Sequence, residues 1–294
     1  VTVALGDLIV ADGQVQWGGF LLGDNDLTWT DGITGWDDLP GVDSGNVARP
    51  GQPGSWPGQK LPQERIVTWS GVWTPDPATD TGTDLVALRQ ATTILDGTDE
   101  QPLVVRTLGE TMVAYGAVTN RALPNDALYS YRGGTLALQW TCADPRRYSI
   151  AENVASLSLT VAVGGGLTYP LVYPLDYGPA PVSTSSTTAT NAGDAASWPL
   201  IAFMGPIVRP SMYNAATGAL LEYALTLTST DVLVIDCRAG TVLLNGVDRA
   251  YTRTEACTPV ASFLLVKGDN PLTLRAQSWG AGNSASVTWR SATL

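Results

Sequence analysis

Leu136-Ala137-Leu138-Gln139-Trp140-Thr141-Cys142-Ala143-Asp144-Pro145-Arg146-Arg147-Tyr148 carries the pattern on which the fold turns. Successive side chains of an extended chain point to opposite faces, so Leu136, Leu138, Trp140 and Cys142 share one side and are expected to face a core. Alternation of this kind is the mark of a half-buried strand. Asp144-Pro145 then closes it, because proline has no N–H to continue a ladder and Asp-Pro favours a turn. A first domain is therefore expected to span 1–150.

Downstream, a second pleated run at Ser156–Val163 leads into Leu167-Thr168-Tyr169-Pro170-Leu171-Val172-Tyr173-Pro174-Leu175-Asp176-Tyr177-Gly178. If extended, this stretch puts Tyr169, Tyr173 and Tyr177 on one face, and its two prolines delete ladder donors from one edge only. We read it as a strap whose tyrosines pack at the junction between domains, with 151–198 as strap and linker; the Pro-, Ser- and Thr-rich residues 179–197 form its polar part. The last part, 199–294, is purely β in pattern. Strands are expected at 200–204, 220–228, 232–237, 241–244, 262–266, 272–277 and 285–292, separated by turns such as Asn245-Gly246 and Gly268-Asp269-Asn270. Short strands at this spacing without helices indicate a sandwich or jelly roll.

Upstream, Arg65–Trp73 alternates like the opening stretch. Val1–Leu5, Leu8–Ala11, Val15–Trp17 and Leu27–Thr30 read as short strands. Residues 84–95 give the one helix, with Leu85, Leu88, Ala91 and Leu95 at helical spacing, Thr83 as cap and Gly97 as stop. Residues 37–62 are mostly Gly, Pro and Asp, have no periodic apolar face, and read as a long loop. The fold class is thus mainly β, an N-terminal β domain with one helix followed by a C-terminal β-sandwich.

Composition narrows the function. The chain has 294 residues, a net charge of −11 and no histidine. Without histidine the commonest general base and metal ligand are missing. No phosphate loop, dinucleotide fingerprint or cysteine cluster occurs. Cys142, Cys237 and Cys257 are dispersed and read as buried apolar residues. Glu222 and Asp236 could serve a two-carboxylate hydrolase, yet nothing converges on them. No catalytic residue, cofactor or metal is expected.

The first 48 residues hold eight aspartates and no cation. Such a field repels nucleic acid, so no stable nucleic-acid binding is expected. No apolar run reaches the ~20 residues of a membrane span, and the N-terminus lacks a secretion-signal layout. A soluble protein made in the cytoplasm is expected, with no membrane partner. Ten tryptophans raise the alternative of a carbohydrate-binding protein for host-surface recognition, with Trp279 and Trp289 as the candidates for stacking on sugar rings.

Four segments, in this order, resemble the distal tail protein family of long-tailed, siphovirus-type bacteriophages: Asp144 and Pro145 through Tyr148; the Tyr-Pro strap; Gly205-Pro206 with Asn214 through Gly218; and the hairpin from Val234 through Asp236, Gly240, Asn245 and Gly246. The resemblance implies a structural virion protein: a hexameric ring at the tail tip, assembled in the host cytoplasm, that joins the tail tube to the baseplate or tip hub. Tail tube, tip hub and tape-measure proteins are its implied partners, with cell-surface glycan as an accessory one. The N-terminal domain would form the ring, and the C-terminal domain would be a galectin- or carbohydrate-module-like sandwich facing outward. The acidic N-terminal half then gains a use, since Asp24, Asp26, Asp31, Asp37 and Asp38 could line a lumen that lets DNA pass without sticking.

Overall fold

The computed structural model describes residues 3–24, 28–74, 81–94, 97, 99–123, 133–160, 173 and 184–294. They divide into two compact units, 1–150 with Leu294, and 151–293.

Unit 1 contains strands β1 (Val15–Trp17), β2 (Phe20–Leu22), β3 (Thr28–Thr34), β4 (Val42–Asp43), β5 (Val47–Ala48), β6 (Ser55–Trp56), β7 (Leu61–Pro62) and β8 (Arg65–Trp73). Helix α1 (Thr81–Ala91) follows, then β9 (Gln101–Thr107), β10 (Glu110–Ala122), β11 (Gly134–Cys142) and β12 (Arg147–Ser149). The main sheet runs β2-β1-β9-β10-β11-β8-β3, with β12 beside β10. The thirteen-residue β10 serves two neighbours in turn: residues 110–116 pair with β9 and 117–122 with β11, across a register shift at Val118/Asn120. A shift of that kind bends a strand. The sheet folds over so that both halves feed one core, where Trp17 of β1 meets Trp140 of β11 at 5.9 Å. Leu136, Leu138, Trp140 and Cys142 are all buried there, as their alternation requires. Gly71 keeps space for a core ring, since a Cβ would lie 2.4 Å from Cη2 of Trp69.

Three expectations fail in this unit. Residues 3–11 form turns, not strands, because their N–H groups go elsewhere: Leu8 donates to Gln16 Oε1 at 3.3 Å, and Val10 and Ala11 donate to Gln14 Oε1 at 2.7 and 2.9 Å. The helix lies at 81–91, so Thr83 sits inside it and is not its cap. At its end the backbone pattern tightens: Thr92 N–H still reaches the oxygen of Leu88 (3.0 Å) but Thr93 N–H turns to that of Gln90 (3.3 Å), while the two hydroxyls bond back to the carbonyls of Leu88 (2.7 Å) and Arg89 (3.0 Å). Finally, residues 37–62 are not plain loop. Strands β4 and β7 pair, and β5 and β6 pair beyond them, giving a two-step hairpin arm.

Unit 2 is a β-sandwich. Its strands are β13 (Asn153–Leu157), β14 (Thr184–Asn191), β15 (Leu200–Met204), β16 (Ile207–Val208), β17 (Ser211–Asn214), β18 (Ala219–Glu222) and β19 (Thr226–Leu227). They continue with β20 (Val232–Asp236), β21 (Thr241–Leu244), β22 (Val247–Asp248), β23 (Gly268–Arg275), β24 (Ser278–Trp279) and β25 (Ser284–Trp289). One sheet is β13-β25-β15-β20-β21-β22; the other is β14-β23-β17-β18; a small third sheet is β19-β16-β24. Ile201, Phe203, Ile235 and Val287 from the first sheet meet Met212, Leu221, Leu272 and Leu274 from the second in a single cluster. The stretch 184–191, read as linker, is the edge strand β14, paired along its whole length with β23.

Candidate assembly interface

Residues 39–62 form the most exposed apolar element among the described residues. Leu39 is 83% exposed and Trp56 59%, and Val42, Val47 and Leu61 are exposed as well. None of the five belongs to either core. Cross-strand pairing puts Val47 opposite Trp56, and the Arg49 guanidinium lies over the Trp56 ring at 4.5 Å. A monomer gains nothing from displaying such side chains, whereas an interface uses them.

The arm is rooted by a buried cation. Arg65, first residue of β8, is 1% exposed. Its Nε donates to the oxygen of Pro145 at 2.8 Å, and its Nη1 to those of Gly35 (2.8 Å), Trp36 (2.8 Å) and Asp38 (2.7 Å). Burial, and then the nearby Arg147, lower its pKa, opposed by Cys142, Asp37 and Asp38. Arg147 pairs with Asp37 at 2.6 Å and its guanidinium stands 5.8 Å from the Trp36 ring. Neither arginine stood out in the sequence, where a cation beside a strand or turn reads as surface. The available signal was Trp56, one large aromatic alone in a Gly-Pro stretch.

The motif residues prove to be turn chemistry and anchoring. Tyr148 donates its hydroxyl to Asp144 Oδ2, whose other oxygen accepts from the N–H of Arg146 at 3.2 Å. Pro145 supplies a carbonyl to Arg65, so this corner and the arm root are one hydrogen-bonded assembly. In unit 2, Asp236 Oδ1 accepts from the N–H groups of Arg238 (2.8 Å) and Ala239 (2.9 Å), and Gly240 follows at φ +70°. Asn245 and Gly246 sit at φ +48° and +84°, the geometry a two-residue hairpin turn needs. Asn214 and Asn270 are buried and bonded to each other at 3.2 Å.

The five aspartates divide. Asp24 accepts from the N–H of Thr28 (2.7 Å) and Asp37 pairs with Arg147, so both serve the subunit's own fold. Asp38 is exposed, although Oδ2 accepts from Gly35 N–H at 2.8 Å; Asp31 is exposed on β3; Asp26 lies outside the described residues.

The sugar-stacking pair fails as a pair. Trp289 is 6% exposed in the sandwich core, its indole donating to the oxygen of Thr190 at 3.0 Å; alternation along β25 turns it inward. Trp279 is half-buried against the same core and donates to the oxygen of Thr160 at 3.2 Å. Tyr169 and Tyr177 lie outside the described residues, and Tyr173 is 87% exposed and packs into neither core.

Among the described residues no group of three or more His, Cys, Asp or Glu side chains could hold a metal ion, and no helix is long and apolar enough to cross a membrane. None of the three cysteines forms a disulfide and all are buried, and burial pushes the Cys237 thiol up to about 12.

Residues 192–292 match the model of the siphovirus-type tail component, C-terminal domain, typified by SPP1 Dit. No curated protein sequence matches the chain. Among solved structures, the Dit protein of phage SPP1 is described as a paradigm of the hub adsorption apparatus in phages infecting Gram-positive bacteria. It superposes over 96% of this chain and 99% of its own, at 14% identity and a TM-score of 0.64. A chain of the phage P2 baseplate, in its activated conformation with calcium, covers 90% of this chain and 91% of its own, at 8% identity and a TM-score of 0.51. At such identities the likeness is one of fold. Residues 192–292 thus match the C-terminal-domain model of that tail component, and along nearly its whole length the chain shares the fold of SPP1 Dit.

Proposed function

We propose that the chain is a structural subunit of the phage tail tip, a ring-forming distal tail protein that joins the tail tube to the baseplate or tip hub. The observation that carries this reading is the arm at 39–62, five exposed apolar side chains on a projection with no core of its own. In a ring each arm would be covered by the neighbouring subunit, which removes the cost of leaving it in water. Six copies, contacts with tube, hub and tape-measure proteins, and a lumen bordered by Asp31 and Asp38 belong to the same reading. A structural role also fits a chain without histidine.

Light scattering and negative-stain imaging of the purified protein, alone and with its tail partners, test it. Six-fold rings are expected. Monomers under every assembly condition would overturn the reading, and an outward position for both Asp31 and Asp38 in an assembled ring would sink the lumen.

A further inference from the structure

Arg65 is an expensive choice for a buried position. A guanidinium taken out of water loses several kcal/mol of hydration, and here no carboxylate is hydrogen-bonded to it. An apolar side chain of similar volume would fill the site without that loss. What an apolar residue could not do is gather carbonyl oxygens, and the ones gathered are telling. Gly35, Trp36 and Asp38 are the last residues before the arm, and Arg65 itself comes three residues after the end of β7, where the arm returns. One side chain thus ties both ends of the arm together. Its fourth bond, to Pro145, fastens that knot to the corner leading into β12.

We infer that Arg65 is a positioning residue for assembly: it fixes the direction in which the arm leaves unit 1, so that Trp56 and its neighbours are presented to a second copy of this chain. The inference rests on the arm being the assembly element proposed above. The charge pattern supports a second copy as the occupant. Residues 1–38 carry seven aspartates and no cation, while the arm holds Arg49 and Lys60, the first two cations of the chain, against Asp43 alone. An apolar, mildly basic arm complements the acidic N-terminal part of another copy. Preorganisation matters here, because an arm that swings freely pays its ordering entropy on every docking event.

The test separates aiming from docking. Cysteines introduced at Gln52 in the arm and Glu110 in the body take spin labels selectively, the natural cysteines being buried. Distance distributions are then measured on dilute, monomeric protein, and assembly is measured separately on unlabelled protein. With Arg65 intact a single narrow distribution is expected. Arg65→Lys, which keeps the charge but cannot span four carbonyls, is expected to broaden it and to weaken assembly about tenfold or more. Trp56→Ala is expected to weaken assembly with the distribution unchanged. A folded Arg65→Lys protein with an unaltered narrow distribution overturns the inference. If that variant does not fold, the unsubstituted arm decides alone, since a broad distribution there overturns the inference equally. Broadening by Arg65→Lys with assembly untouched by Trp56→Ala would leave the clamp standing and remove the docking reading of the arm.

Discussion

Trp17 donates its indole N–H to the backbone oxygen of Ala91 at 2.9 Å, linking β1 to the last residue of α1. That oxygen is one of the four that a helix leaves unpaired at its C-terminus. Arg121 of β10 takes another, its Nη1 lying 2.7 Å from the oxygen of Arg89 and 2.9 Å from Oγ1 of Thr92. Two sheet residues therefore finish the helix. Arg121→Ala is expected to cost about 1 kcal/mol, from a charge-assisted bond and a cation at the negative helix end. Chemical denaturation with helical circular dichroism would read it, and Arg121→Lys should recover part of the loss.

Asn270 is the most heavily engaged polar side chain of the sandwich. Its Nδ2 donates to the oxygens of Val266 (2.8 Å), Gly268 (3.0 Å) and Ala189 (3.3 Å), while Oδ1 accepts from Val266 N–H (2.9 Å) and Asn214 Nδ2. An aspartate fits the space but, ionised, cannot donate. Asn270→Asp is expected to destabilise unit 2 by about 3 kcal/mol or more at neutral pH, through buried carbonyls facing a carboxylate. Part of the loss should return as the pH falls, since protonation restores one donor. Denaturant titrations at two pH values would show it.

Trp289 and Trp279 should separate on mutation. Trp289→Ala is expected to cost about 3–5 kcal/mol, the range for a large core side chain, with Trp279→Ala costing less because one side of that ring already meets solvent. Equal losses in thermal or denaturant unfolding would contradict the packing described.

Asp231 gives the acid limb a named contributor. The Thr228 hydroxyl, then the Thr228 backbone N–H and Asn245, hold its pKa below the ordinary 3.8. A folded pKa below the unfolded one means that its contribution is complete above 3.8 and disappears as the pH falls through the lower folded value. Asp231→Asn should flatten the stability profile in that window, and carboxyl NMR titration should place the Asp231 midpoint below 3.8. A midpoint at or above that value would refute the assignment.

How well each part could be read from sequence follows from what each residue had to satisfy. Residues 65–73 and 136–142 were legible because their strands bury one face in tryptophan and leucine, so the alternation survives in the letters. Strand β14 hid because its inward residues are Ser185, Thr187, Ala189 and Asn191, whose small or polar side chains carry no hydrophobic period. The N-terminal runs misled because Gln14 and Gln16 claim the backbone donors that a neighbouring strand would otherwise hold. The arm escaped because two-residue ladders are too short to have a period. The first corner and the last hairpin of the motif set were visible as turn chemistry, but the bond from the Pro145 corner to Arg65 spans 80 positions, which no local pattern records.

The first residue of β13, Asn153, lies opposite the last residue of β25, Trp289. Both chain ends of the sandwich thus leave from the same end of one antiparallel pair. Tension applied through them would loosen the Ala195–Ala292 bridge and then peel the ladder one hydrogen bond at a time, instead of shearing many together. Pulled by its two ends, unit 2 would therefore open like a zipper and yield at a lower force than a sandwich loaded in shear along its strands.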